Sequence, residues 1–113
     1  MRIDNRFLNN TIVVEPRERL TVETEPEFAS HFIRLLEAGH RCFALDLAGV
    51  PYIDSTGLGA IMRAYTSARR RGGDLKLMNV TGKNRHLLTI TRLISVLAEE
   101  TEERLNGASY QQT

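Results

Sequence analysis

A chain of 113 residues with 42% hydrophobic and 26% charged side chains is one globular domain with one core, too short to carry a separate catalytic domain. Its formal net charge of +1 sets up no global field toward nucleic acid or an anionic membrane, so partners must be sought in local features. The one cysteine, Cys42, excludes an internal disulfide and a cysteine metal cluster; no apolar run nears the ~20 residues that span a bilayer, and MRIDNRFLNN lacks a signal-peptide core. A cytoplasmic protein is expected.

Arg2 to Phe7 and Thr11 to Glu15 read as two short strands joined by the turn pair Asn9-Asn10, a hairpin that Pro16 stops. Pro26 is a first-turn proline with Thr24 or Glu25 near the cap. Phe28, Phe32, Leu35 and Leu36 then recur at helical spacing until Gly39, which predicts a helix over 26–38. Cys42 to Leu47 is short and mostly apolar, as a central strand is. After the heptapeptide Ile53-Asp54-Ser55-Thr56-Gly57-Leu58-Gly59, the residues Leu58, Ile61, Met62, Tyr65 and Ala68 form one helical face that ends at Gly72-Gly73. A strand over Leu75 to Met78, a helix over Lys83 to Thr91, a strand over Ser95 to Ala98 and an acidic helix over Glu99 to Leu105 follow, and NGASYQQT is read as a fraying tail. Strands alternating with helices imply crossovers. The expected fold class is α/β: a single domain over 1–106, with a mixed, mostly parallel sheet of four to five strands and three to four helices, and a flexible tail over 107–113.

In such a sheet, ligands and partners are met where strands end and the next helices begin, and IDSTGLG lies at that edge. Ser55 occupies the expected N-cap position, its hydroxyl accepting from the amide of Gly57 or Leu58. A phosphate on Ser55 would meet free amides and the positive end of the helix dipole. It would also add about −1.5 to −2 charges beside Asp54, enough to repel a partner. Gly57 and Gly59 have no side chains, so a partner's backbone or a phosphate can approach the helix start, and Asp54 is placed to hold a bridging cation or to orient the hydroxyl. The competing reading is that Ser55 is a helix cap and nothing more.

The segment from GVPYIDSTGLG through GGDLKLMN to RLISVL, about residues 41 to 98, resembles the anti-sigma factor antagonist branch of the STAS domain family almost element by element. That family has an apolar-Asp-Ser-Ser/Thr-Gly-Leu-Gly motif, an amphipathic helix to a Gly-Gly pair, a DLKLMN-type strand and a short helix. The resemblance implies a non-enzymatic phospho-switch. The serine after the aspartate, here Ser55, is phosphorylated by a partner that is both anti-sigma factor and serine kinase, and a serine phosphatase restores it. Only the unphosphorylated form binds that partner and frees the sigma factor. Asp54, Thr56, Gly57, Leu58 and Gly59 then make the docking rim, Tyr52 and Ile53 beside the serine read either as partner-facing apolar contacts or as core, and Thr56 is a second acceptor candidate. The chain departs from the pattern at Arg19-Leu20-Thr21, where members have Gly-x-Leu-Asp with a partner-facing aspartate; Thr21 stands in its place. That departure leaves open a scaffold or interaction subunit of a stress-sensing assembly, which would self-associate where an antagonist would run as a monomer or weak dimer.

Other features read as structural. Arg63, Arg69, Arg70, Arg71 and Lys76 are a solvated basic face without interleaved aromatics, so no direct nucleic-acid binding is expected. Thr81-Gly82-Lys83-Asn84 lacks the upstream glycine of a phosphate loop. His31, His40 and His86 have no second metal-type residue at i+3 or i+4, and Ile53 stands where a hydrolase elbow needs glycine. No enzyme, metal, cofactor or membrane role is expected.

Overall fold

The computed structural model describes residues 1–80. They form, in chain order, β1 (Ile3–Leu8), β2 (Thr11–Pro16), α1 (Glu25–Glu37), β3 (Cys42–Asp46), α2 (Ser55–Arg70) and β4 (Asp74–Met78). The sheet runs β1-β2-β3-β4, with β1 antiparallel to β2 and the rest parallel. The α/β expectation with an opening hairpin therefore holds. The elements expected over 83–91, 95–98 and 99–105 and the tail lie outside the described residues.

Each element follows from its sequence. Asn9 closes the hairpin with φ +58, a left-handed conformation that asparagine tolerates. Pro16 stops β2 as expected, one residue beyond Glu15, since it is itself the last residue, opposite Ile3. A proline is accommodated there because β1 and β2 bond through the alternate residues, as Arg17 N–H donates to the Arg2 carbonyl at 2.9 Å. Both helices end in the same hydrogen-bonded loop. His40 N–H reaches the Leu35 carbonyl (3.1 Å) and Gly73 N–H the Ala68 carbonyl (2.8 Å), each following a glycine of positive φ, Gly39 and Gly72.

The two helices bury their apolar stripes on one face of the sheet. Phe28 and Phe32 from α1, Ile12 and Val14 from β2, Phe43 and Leu45 from β3, Leu75 from β4, and Ile61, Ala64 and Ala68 from α2 make one continuous core. Its centre is an aromatic chain: Phe28 to Phe32 at 5.1 Å between ring centroids, and Phe32 to Phe43 at 5.2 Å, both tilted. The parallel strands bring the ends of β2, β3 and β4 to one edge, and there the loop into α2 begins. Phe32→Ala removes the middle ring of the chain and is expected to cost about 3–5 kcal/mol, measured as a lowered urea midpoint at unchanged slope.

Candidate functional site

Ile53 is fully buried and pairs with Leu20 in a single parallel bridge. Leu20 N–H donates to the Tyr52 carbonyl (2.9 Å), and Asp54 N–H donates to the Leu20 carbonyl (3.0 Å). This bridge ties the β2–α1 loop to the entry of α2. Gly57 is glycine for the same reason: a Cβ there would run into the Leu20 carbonyl oxygen and stand 2.8 Å from its carbon. The close approach expected of an external partner is made by the chain's own backbone.

Asp54, not Ser55, caps α2, which corrects the expectation from sequence. Asp54 is extended (φ −97, ψ −176), and one carboxylate oxygen accepts the Gly57 amide at 2.8 Å. Its carbonyl accepts the Leu58 amide at 2.9 Å, the first bond of the helix. A carboxylate outcompetes a hydroxyl here because its bond to an amide is charge-assisted and its charge meets the positive end of the helix. The other oxygen accepts the Val22 amide at 3.1 Å. The carboxylate thus clamps two backbone segments.

Ser55 is displaced by one position and becomes the first residue of α2, with an exposed side chain. One turn on along the same helix face lies half-buried Gly59, followed by exposed Met62. The expected docking rim divides into two sets. Tyr52 is 47% exposed and Asp54, Thr56 and Gly59 are half-buried, whereas Ile53, Gly57 and Leu58 are buried and support the rim from beneath. Thr21 is buried as well: its carbonyl accepts the Thr24 and Glu25 amides (3.0 and 2.8 Å) at the start of α1. The residue that the sequence reading missed is Val22, 65% exposed and bonded through its amide to Asp54. Only the Leu20–Ile53 bridge brings it to the site, and local spacing carries no trace of that bridge.

Arg63 completes the border, reaching Glu25 of α1 at 3.2 Å. Among the described residues there is no group of three or more His, Cys, Asp or Glu that could hold a metal, and no helix long and apolar enough to cross a membrane.

A family model of the STAS domain matches residues 2–108. The chain belongs to the STAS domain family. Among curated relatives, the anti-sigma-B factor antagonist of Bacillus subtilis (strain 168) is 29% identical over 97 residues, 86% of this chain and 88% of that protein. The protein of the same name from Listeria monocytogenes is 36% identical over 64 residues, 56% of each chain. Among solved structures, a putative anti-sigma factor antagonist from Thermotoga maritima superposes with a TM-score of 0.77 at 24% identity, covering 89% of this chain and 92% of that one. The Bacillus cell fate determinant SpoIIAA in its phosphorylated form gives 0.66 at 14% identity, covering 92% and 99%. At these identities the two structures speak for the STAS fold.

The clamp and the exposed serine separate by mutation. Asp54→Ala is expected to cost about 2 kcal/mol, and Gly57→Ala about 1–3 kcal/mol through its clash with Leu20, whereas Ser55→Ala stays within about 0.5 kcal/mol of wild type, all by equilibrium urea unfolding. A Ser55→Ala loss as large as that of Asp54→Ala would return the capping role to the serine.

Proposed function

We propose that this STAS protein is an anti-sigma factor antagonist whose partner contact is switched by phosphorylation of Ser55. The observation that carries the reading is an exposed hydroxyl at the first position of α2, on a sheet edge held by Asp54 and flanked by the exposed apolar side chains of Val22 and Tyr52. The curated relatives named anti-sigma-B factor antagonists support the same role. The partner is an anti-sigma factor that is also a serine kinase. Ser55 Oγ attacks the γ-phosphorus of the nucleoside triphosphate held by that kinase; the bond to the diphosphate breaks and the hydroxyl proton passes to a base on the kinase. The chain itself supplies only the nucleophile and its placement.

Unphosphorylated, the edge offers Val22, Tyr52 and Met62 to the partner with Ser55 and Gly59 among them, so a partner's backbone can come close at the residues with the smallest side chains. Phosphorylated, it carries about −1.5 to −2 additional charges beside Asp54, and a contact that desolvates this edge becomes unfavourable. A serine phosphatase resets the switch. A stress-sensing scaffold is the second reading, and the observation that favours it is Thr21: it replaces the aspartate of the family pattern and lies buried, so it offers a kinase no exposed carboxylate at that place.

The test is a binding titration against the cognate anti-sigma kinase with phosphorylation read by intact mass. Wild type is expected to bind and to gain one phosphoryl group, Ser55→Ala to bind and gain none, and Ser55→Asp to bind at least about tenfold more weakly. A phosphoryl group still gained by Ser55→Ala moves the acceptor to Thr56. Equal binding by wild type and Ser55→Asp, with no phosphorylation, overturns the switch in favour of the scaffold.

A further inference from the structure

β1 is an edge strand, and among the described residues no strand pairs with its outer side. Because Arg17 N–H donates to the Arg2 carbonyl, the alternation of an antiparallel ladder makes Arg2, Asp4, Arg6 and Leu8 the residues bonded to β2. Ile3, Asn5 and Phe7 turn their N–H and C=O groups outward. The strand also leaves Phe7 68% and Leu8 55% exposed, the two largest apolar side chains of the hairpin tip. Natural edges are usually protected against pairing by short length, bulges, proline or charged side chains. β1 is six residues long, regular in register and free of proline, and its two charges, Asp4 and Arg6, are of opposite sign and so can pair across a two-fold.

The sequence of β1 is nearly palindromic about Asn5: Ile3-Asp4-Asn5-Arg6-Phe7 reads apolar, acid, amide, base, apolar. We infer that β1 is a self-association edge, pairing antiparallel with β1 of a second copy about a two-fold axis at Asn5. In that register Asn5 faces Asn5, Ile3 faces Phe7, and Asp4 faces Arg6 of the other copy. The groups that exchange hydrogen bonds are those of Ile3, Asn5 and Phe7, the ones that point outward in the single chain. The neighbouring registers that keep these groups in phase set Asp4 against Asp4 or Arg6 against Arg6, and like charges directly opposite are unfavourable. Charge therefore selects one register.

The contact also relieves a feature of the single chain. Asp4 stands directly opposite Glu15 in the β1–β2 ladder, an acid against an acid. Arg17 lies between them (3.0 Å to Asp4, 3.7 Å to Glu15), and Arg6 bonds Glu15 at 2.9 Å. Arg6 of the second copy brings a further cation to this acid pair. On the other face, Phe7, which stacks on His40 at 5.5 Å, is covered by Ile3 of the second copy. The result is a continuous sheet through both molecules. Their parallel strands run in opposite directions, so the two Ser55-bearing edges point to opposite poles and both stay open.

Sedimentation equilibrium of the full chain over a range of concentrations tests this. Wild type is expected to show a reversible monomer–dimer equilibrium. Arg6→Asp alone and Asp4→Arg alone each set like charges against each other across the two-fold and are expected to raise the dissociation constant by on the order of tenfold or more. Mixed in equal amounts, the two variants regain opposite charges at both places and are expected to form a heterodimer near wild-type strength. If a charge variant fails to fold by circular dichroism, Asn5→Pro decides: it removes an amide that β2 does not use and is expected to abolish the dimer, whereas Asn5→Ala, which loses the same side-chain contact to His31 (2.9 Å) but keeps the amide, is expected to retain it. Ser55→Asp is expected to leave the dimer unchanged, which separates this inference from the phospho-switch. A wild type that stays monomeric throughout, a dimer that survives Asn5→Pro, or a mixture of folded charge variants that does not recover association overturns it.

Discussion

The site depends on one contact, the Leu20 backbone lying against the entry to α2. Leu20 takes the Asp54 amide, gives its own amide to Tyr52, and needs Gly57 bare so that its carbonyl can lie on the helix start. Each backbone bond contributes about 1 kcal/mol net, but the bonds are made in one place by one strap. Withdrawing Leu20 would break both bonds, open the buried pair Leu20–Ile53 and uncouple Val22 from Asp54. The loop after β2 and the helix after β3 are therefore one structural unit although 32 residues separate Val22 from Asp54.

That unit sits at one pole of the sheet, and the hairpin tip sits at the other. Asn9 and Asn10 close β1 onto β2 at the ends where the parallel strands begin, beside His40 and the turn at Gly72-Gly73. Ser55 lies where they finish. Two exposed apolar pairs, Val22 with Tyr52 at one pole and Phe7 with Leu8 at the other, are thus separated by the length of the strands. A partner at the first leaves the second free, and each edge can be occupied independently.

The order and type of the elements among the described residues were legible because each announced itself locally: β-branched and apolar runs for the strands, a three-and-four spacing for the helices, glycines where both helices stop. Boundaries slipped where two chemistries competed for one place. Asp54 and Ser55 are both good caps, and sequence alone placed the serine in the cap because it ignored what else a carboxylate can reach; the amide of Val22 made the aspartate the better choice. The small and polar residues of the heptapeptide suggest a rim, yet Ile53, Gly57 and Leu58 are buried. What could not be read was the bridge that buries them. It joins positions far apart in the chain, and no periodicity records it.

The clamp on Asp54 also limits how a phosphate at Ser55 could act. For the new charge to expel Asp54 from the helix start, the bonds to Gly57 and Val22 would have to be given up, together worth about 2 kcal/mol at this partly exposed edge. The helix dipole returns about 0.3–1 kcal/mol to a phosphate at an exposed N-terminus. The exchange is unfavourable, so Asp54 stays and the phosphate adds to its charge instead of replacing it. A switch built on this edge therefore works by changing what the surface presents, with the fold beneath it unchanged. In such a switch the buried row of the motif would keep the edge in place in both states, and the exposed row alone would distinguish them.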